Sequence, residues 1–314
     1  YVHDHSKPDY GIPAFEGRPA QVPISTYYGE PFDNQESDQL NVVLSAEHHF
    51  SDAWLIRGGL SYYRLGYSDN TKDTFNSWVD GATLNRYYEK FPKWDAYKTA
   101  QIETVGKFDT FGFGHTLLLG AEYDIHNASS GNAYILGALE SPIDIFNPVP
   151  IGDEDALLDA ALRARYFGES KTTTWSLYFQ DQIDLTDTLK LLVGGRHDHV
   201  EQNGTYLGEL VDDGSLLWEG AYGFKASAFS PRAGLLYKVT PGLSVFASWS
   251  KSFNPNYADC DEFSGICRQF PSEKGVQYEA GAKFEAANGR FGATAALFRI
   301  EKSNVLQTDP ADPN

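Results

Sequence analysis

The sequence predicts an all-β fold, a transmembrane antiparallel β-barrel to which this chain contributes about ten strands. Three observations predict it: alternation of apolar and polar side chains, connections that alternate between tight turns and long polar loops, and aromatic residues near the ends of the alternating segments. Hydrophobic residues make up 41% and aromatic residues 14% of the 314 residues, which is typical of a chain that folds.

The alternation has a period of two residues, as expected for a strand with two different faces. In segment 274–286, Tyr278 and Ala280 lie on one face, whereas Gln277 and Glu279 lie on the other. The ten segments with this pattern are 40–50, 54–67, 96–108, 115–125, 174–183, 189–198, 228–238, 243–253, 274–286 and 290–300. One apolar and one polar face per strand predict a wall between lipid and an aqueous lumen.

Three features depart from the alternation. Leu118 adds an apolar side chain to the polar face of segment 115–125. Asp181 places a carboxylate on the apolar face of segment 174–183, and the phase of segment 290–300 is ambiguous.

The lengths of the connections give the more specific signal. Short connections occupy 50–53, 109–114, 186–188, 240–242 and 286–289. Long polar connections occupy 69–93, 128–170, 203–223 and 254–273, and residues 1–38 resemble the end of another. An outer-membrane barrel has short periplasmic turns and long extracellular loops, whereas a soluble β-sandwich has no reason to separate them.

Within the connection 128–170, segment 152–165 has acidic residues first, a stripe of leucine and alanine, and Arg163 and Arg165 last. This order complements a helix dipole and predicts a short amphipathic helix.

The formal net charge of −18 and the sequence pI near 4.7 argue against binding to nucleic acid, which needs a basic surface. Solvated acidic loops explain this charge, and so does a pore mouth that favours neutral or cationic ligands. No run of apolar residues approaches the length of a transmembrane helix. The mean hydropathy of −0.41 fits both a soluble protein and a barrel.

Cys260 and Cys267 enclose a short loop rich in polar residues. A metal site would need further soft ligands nearby, and the neighbouring sequence has no Cys-x-x-Cys motif or histidine. A disulfide formed in an oxidising compartment is the preferred interpretation.

Several segments resemble, in order, the barrel of TonB-dependent ferric-siderophore receptors, and especially the group that takes ferric hydroxamates. The strings are SLYFQDQIDL at 176–185, LLVGGRHD at 191–198, SPRAGLLY at 230–237, LSVFASWSKSFNP at 243–255 and EKGVQYEAGAKFE at 273–285. The resemblance continues at 115–123 and 295–310 and covers nearly the whole chain.

This resemblance implies a bacterial outer-membrane barrel of about 22 strands, surrounded by outer-membrane lipid. We expect residues 1–314 to be part of a single barrel domain, with the plug domain and the C-terminal strands absent from this chain. The transported ligand would be a ferric siderophore, and the TonB complex would engage a part of the protein outside this chain. The resemblance implies no enzyme activity, no catalytic residue and no cofactor.

A ferric siderophore is a bulky chelate that fits a concave, aromatic-lined mouth. The candidate ligand-binding residues are therefore aromatic residues of the connections, although each of them could instead pack loop against loop. They are Tyr27, Tyr28, Trp78, Tyr87, Tyr88, Trp218, Tyr222 and Phe263. No metal site is expected, because His48 and His49 point to opposite faces of a strand, and His197 and His199 lack a third ligand.

Two other functions remain open at this stage. A passive porin or an adhesin-type barrel would share the strand pattern but lack a plug. A soluble all-β enzyme such as a glycosidase would enclose the apolar strand faces in a core and would purify without detergent.

Overall fold

The computed structural model describes residues 1–90, 92–136, 141–153, 162–210, 213–256, 259–260, 267–286 and 290–307. Their strands are β1 (Val2–Ser6), β2 (Ala14–Phe15), β3 (Arg18–Pro19), β4 (Asn34–His49), β5 (Trp54–Trp78), β6 (Thr83–Lys90), β7 (Lys93–Thr110), β8 (Phe113–Leu136), β9 (Ser141–Asp144), β10 (Leu162–Asp184), β11 (Leu189–Leu210), β12 (Leu216–Thr240), β13 (Leu243–Asn254), β14 (Asp259–Cys260), β15 (Cys267–Arg268), β16 (Glu273–Ala286) and β17 (Phe291–Ser303).

Thirteen of these strands form one antiparallel sheet, in which consecutive long strands are neighbours. β6 and β7 lie one after the other in the space between β5 and β8. β9 pairs with β6 at the end of the sheet opposite the tight turns, which we call the outer end. This up-and-down order is that of a barrel wall.

The ten predicted strands are confirmed, because each predicted segment coincides with β4, β5, β7, β8, β10, β11, β12, β13, β16 or β17. The predicted tight turns between β4 and β5, β7 and β8, β10 and β11, and β12 and β13 are confirmed as well. In the turn between β7 and β8, Phe111 and Gly112 have φ of 53° and 83°, as a two-residue hairpin turn requires.

The prediction of long loops was wrong over much of their length. β5 continues to Trp78, β8 continues to Leu136, and β11 and β12 extend through most of 203–223. Backbone pairing therefore continues well beyond the segments with clear alternation. The predicted helix at 152–165 is contradicted at 162–165, which belong to β10, while 154–161 lie outside the described residues.

The two faces of the sheet differ in exposure as well as in polarity. On β10, Trp175, Leu177 and Phe179 are 39%, 56% and 40% exposed, whereas Ser176 between them is 1% exposed. A curved sheet produces this difference when its polar face is concave. The concave face is the lumenal face, and the convex apolar face is the one predicted to meet lipid.

Candidate functional site

The strand register aligns lumenal side chains in rows across the sheet. Near the outer end, Asp95 on β7 lies opposite Ala128 on β8, which lies opposite Ser170 on β10. The row continues through Gly204 on β11 to Tyr222 on β12. Small residues in the middle of this row leave a recess of about 230 Å³. We call this region the vestibule, and its lumenal residues are Lys93, Asp95, Tyr97, His126, Ala128, Ser130, Gly168, Ser170, Tyr206 and Tyr222.

Aromatic rings border the vestibule on two sides. On one side, the His126 and Tyr97 rings are parallel, with centroids 4.0 Å apart, and His126 Nε2 lies 2.9 Å from Asp95 Oδ1. On the other side, the Tyr222 ring covers Gly204, where an added Cβ would lie 2.3 Å from that ring. Flat apolar borders with a few polar groups suit a bulky, oxygen-rich ligand.

Below the vestibule, a polar network spans five strands of the lumenal face. Arg196 on β11 donates to Glu122 on β8 at 2.6 Å and to Asp198 at 2.7 Å. Ser176 donates to Asp198 at 2.6 Å and receives a bond from Arg196 at 2.7 Å. Each of these charged groups is therefore paired on the wall.

The network continues to β5. Arg57 Nε donates to Glu103 at 2.6 Å, and the Tyr178 hydroxyl donates to the same carboxylate at 2.8 Å. Gln101 donates to the Tyr178 hydroxyl at 2.7 Å. The Arg196 guanidinium lies 5.2 Å from the centroid of the Tyr178 ring, which joins the two halves of the network.

At the outer end of the sheet, three segments pack together into a unit that we call the outer cap. They are residues 20–33, β6 and residues 141–153. Its buried core is formed by Tyr28, Leu84, Ile143 and Ile145. The Tyr28 hydroxyl donates to the Ile145 carbonyl at 2.9 Å, and burial raises the pKa of this hydroxyl.

A buried ion pair fixes the three segments of the cap. Arg86 on β6 donates to Glu30 at 2.7 Å, and both residues are 0% exposed. Arg86 also donates to the Tyr28 carbonyl at 2.5 Å. The Glu30 carboxylate accepts the backbone N–H groups of Ile151 and Gly152 at 3.1 and 2.9 Å, so its charge is satisfied from both sides.

The structure distributes the candidate ligand-binding residues between the cap and the vestibule. Tyr28 is 2% exposed, Tyr27 donates to Asp33 at 3.3 Å, and Trp78 donates to the Ala14 carbonyl at 3.0 Å. Tyr28 and Trp78 thus join different segments of the chain, whereas the bond of Tyr27 stays within its own segment. The others have different positions: Tyr222 borders the vestibule, Trp218 lies over Gly208 on the lumenal face, Tyr87 and Tyr88 belong to β6, and Phe263 lies outside the described residues. Ligand contact by any of the eight stays a prediction.

Sequence reasoning missed Tyr97, His126 and Tyr206, because it looked for ligand-binding residues only in the predicted loops. A signal was present, since Tyr97 lies four and six positions before Gln101 and Glu103 and therefore on the same face of β7. Tyr97 already lies within the predicted segment 96–108, so the alternation alone puts this residue on the polar face.

The backbone of β14 and β15 pairs Cys260 directly with Cys267. Directly opposed residues of antiparallel strands have Cα atoms about 4.5 to 5.5 Å apart, within the range that a disulfide spans. The disulfide between them stays a prediction, and mass spectrometry of the non-reduced protein tests it.

The described residues contain neither a membrane-spanning helix nor a metal-binding cluster. No helix in them is long and apolar enough to cross a membrane. No group of three or more histidine, cysteine, aspartate or glutamate side chains in the same residues could hold a metal ion.

The family model described as TonB dependent receptor-like, beta-barrel matches residues 1–314. The chain belongs to this family. The sheet is therefore part of the wall of a TonB-dependent receptor barrel in the outer membrane.

The curated relatives of this TonB-dependent receptor barrel include receptors for several metal chelates. It is 33% identical to the metal-pseudopaline receptor CntO of Pseudomonas aeruginosa over 97% of this chain and 42% of the relative. It is 28% identical to the ferrioxamine B receptor of Salmonella typhimurium over 99% of this chain and 43% of the relative. The chain thus spans less than half the length of these relatives.

Solved structures share the fold of this TonB-dependent receptor barrel. The siderophore receptor PiuA from Acinetobacter baumannii aligns with a TM-score of 0.76 and 21% identity, over 94% of this chain and 46% of the other. The closed form of the ferric-catecholate import receptor Fiu from E. coli aligns with a TM-score of 0.78 and 19% identity, over 98% and 48%.

Proposed function

We propose that this chain is part of an outer-membrane receptor that binds a ferric siderophore at its extracellular mouth and imports it by TonB-coupled active transport. The vestibule is the observation that carries the proposal, because small residues there leave room between the Tyr97–His126 stack and Tyr222. The relatives support it, since they are receptors for metal-pseudopaline and ferrioxamine B. The proposed function involves no catalytic step.

The partners in this proposal are a ferric siderophore, which touches the vestibule, and the TonB complex, which engages a part of the protein outside this chain. The His126 and Tyr97 rings would pack against apolar parts of the chelate.

Binding to the full-length parent receptor tests this role. We expect Tyr97→Ala and Tyr222→Ala to weaken binding of the cognate chelate about tenfold, since each removes a large contact surface. The probes are ferrioxamine B, ferrichrome, ferripyoverdine and metal-pseudopaline, measured by calorimetry. Tyr123→Ala is the matched control, because Tyr123 lies on β8 with 46% exposure on the convex face and should leave affinity unchanged. A receptor that binds none of these probes contradicts the proposal.

Active transport is distinguished from a passive pore by measuring cellular uptake of radioactive iron complexed with the chelate that the receptor binds. Import should cease in cells that lack TonB, whereas a porin-like or adhesin-type barrel would show uptake that does not depend on TonB.

A further inference from the structure

A carboxylate and an imidazole interrupt the lipid-facing surface near the tight turns. On the convex face of β10, Asp181 lies between Phe179 and Ile183. Its register partners are Leu117 on β8 and Val193 on β11. A charged group in such an apolar, lipid-facing surface is costly unless polar groups satisfy it.

His115 is a polar partner of Asp181 and connects it to a row of aromatic rings. His115 Nδ1 lies 2.7 Å from Asp181 Oδ2, and His115 Nε2 lies 2.9 Å from the Thr110 hydroxyl. The His115 ring stacks on Phe108 at 5.1 Å, and Phe108 stacks on Trp54 at 6.2 Å. Both imidazole nitrogens are therefore engaged within the protein.

The depth of this group in the membrane follows from the strand geometry. Asp181 lies three residues from Asp184, where β10 ends at its periplasmic turn. A strand tilted by about 40° rises about 2.5 Å per residue along the membrane normal, which puts Asp181 roughly 8 Å above the end of the strand. Aromatic girdles mark the interfaces of barrels, and the Trp54–Phe108 stack lies at this end of the sheet. The carboxylate is thus at the level of phospholipid headgroups.

One oxygen of this carboxylate still needs a donor. Oδ2 accepts from His115, but Oδ1 accepts no hydrogen bond from the described residues. Oδ1 itself is enclosed, whereas the whole Asp181 side chain is 17% exposed. The χ2 torsion of aspartate is soft, so a small rotation presents Oδ1 to the membrane side. A buried acceptor without a donor costs free energy, which favours a donor from the lipid.

We propose that Asp181, His115 and the Trp54–Phe108 stack bind a phospholipid headgroup that carries a primary ammonium, such as that of phosphatidylethanolamine. The ammonium donates an N–H to the Asp181 carboxylate, and the aromatic row packs against the apolar carbons beside it. A choline headgroup has the same charge but no N–H, so the site distinguishes the two. This inference depends on the membrane position of the barrel and is independent of the transported ligand.

The unmodified full-length receptor provides the first test. Native mass spectrometry follows lipid retention from micelles that contain phosphatidylethanolamine, its N-methyl and N,N-dimethyl derivatives, or phosphatidylcholine. We expect about tenfold preference for phosphatidylethanolamine over phosphatidylcholine, with the loss concentrated where the last N–H disappears. Equal retention across the series overturns the proposal.

The second test locates the site. Asp181→Asn should largely remove the preference for phosphatidylethanolamine, because a neutral amide oxygen accepts the ammonium N–H much more weakly than a carboxylate does. Asp184→Asn is the control: Asp184 lies at the periplasmic end of the same strand, but on the lumenal face with Lys190. The control should keep the preference. If Asp181→Asn keeps it as well, the lipid binds elsewhere and the proposed site is wrong.

Discussion

At the residue scale, Gly120 makes room for the polar network of the lumenal face. The Tyr178 ring lies over this glycine, and an added Cβ would be 2.2 Å from the ring. The Tyr178 hydroxyl bonds to Gln101 and Glu103, so moving its ring breaks both side-chain bonds from β10 to β7.

We expect Gly120→Ala to lower the free energy of unfolding by about 1 to 3 kcal/mol, because the overpacked ring must shift and leave its partners unpaired. Urea unfolding of the refolded parent receptor measures this change. Gly66→Ala is the control, since Gly66 is also in a strand and nothing lies within 4 Å of its added Cβ. Equal effects at both glycines would contradict the role of Gly120.

The buried pair of Arg86 and Glu30 supports a second prediction. Glu30→Gln leaves the Arg86 charge buried without its counter-charge, which costs about 3 to 5 kcal/mol. We expect the outer cap to open while the barrel stays folded. Hydrogen–deuterium exchange should therefore rise in 20–33 and 141–153 but not in β10 to β12.

Lys302→Gln is the control for the ion pair, because it breaks the pair with Glu273, in which the lysine side chain is 60% exposed. Exposed ion pairs contribute less than about 1 kcal/mol to stability. Hydrogen–deuterium exchange of β16 and β17, which carry this pair, should therefore hardly change. A cap that is equally protected in Glu30→Gln and the unmodified protein would show that the ion pair does not hold it closed.

At the element scale, the strands could be predicted only where the two faces meet different surroundings. Within the membrane, lipid selects apolar side chains on one face, and the alternation is clear in β10 from Thr174 to Ile183. Beyond the membrane both faces meet water, so residues such as Glu201 and Gln202 on β11 no longer alternate. The backbone ladder continues all the same, because its hydrogen bonds do not depend on side-chain polarity. That is why 203–223 was mistaken for a loop.

The assignment of the faces makes a prediction for β16. Ala280→Arg puts a charge toward lipid and should cost about 2 to 4 kcal/mol near the midplane. Gln277→Arg puts the same charge on the lumenal face, where Gln277 already donates to Glu279 at 3.2 Å, and should be mild. Unfolding in lipid vesicles compares the two variants. Equal or reversed costs would mean that the faces are assigned the wrong way round.

The side-chain contacts between strands could not be predicted from a single sequence. The anomalous position of Asp181 was visible in the alternation, but its pairing with His115 depends on the register between β8 and β10. The Tyr97–His126 stack likewise depends on the register between β7 and β8. A shift of β8 by one residue would turn His115 and His126 to the other face, away from their partners.

At the scale of the whole molecule, the sequence predicts which ends of the strands share a side of the membrane, because turn length alternates along the chain. The outer cap was not predicted, since it joins segments more than 100 residues apart, as in the bond from Tyr28 to Ile145. Nothing in the local pattern of either segment identifies its partner.

The orientation in the membrane is tested by labelling intact cells that produce the parent receptor. Ser215→Cys, between β11 and β12, should react with an impermeant maleimide, and Asp187→Cys, between β10 and β11, should not. Both residues are exposed, and the background carries Cys260→Ser and Cys267→Ser, which removes the two cysteines of this chain. Labelling at position 187 and not at position 215 would show that the barrel has the opposite orientation in the membrane.

β10 pairs continuously with β11, from Ala164–Leu210 to Asp184–Lys190. This pairing limits how the outer end of the barrel can change during evolution. Inserting or deleting one residue within a paired extension inverts every side chain beyond that point, unless a bulge absorbs it. New ligand preferences are therefore most accessible through substitutions, through length changes of two residues, or at the hairpin tips. The mouth is thus variable in chemistry but conservative in length wherever the ladder runs unbroken.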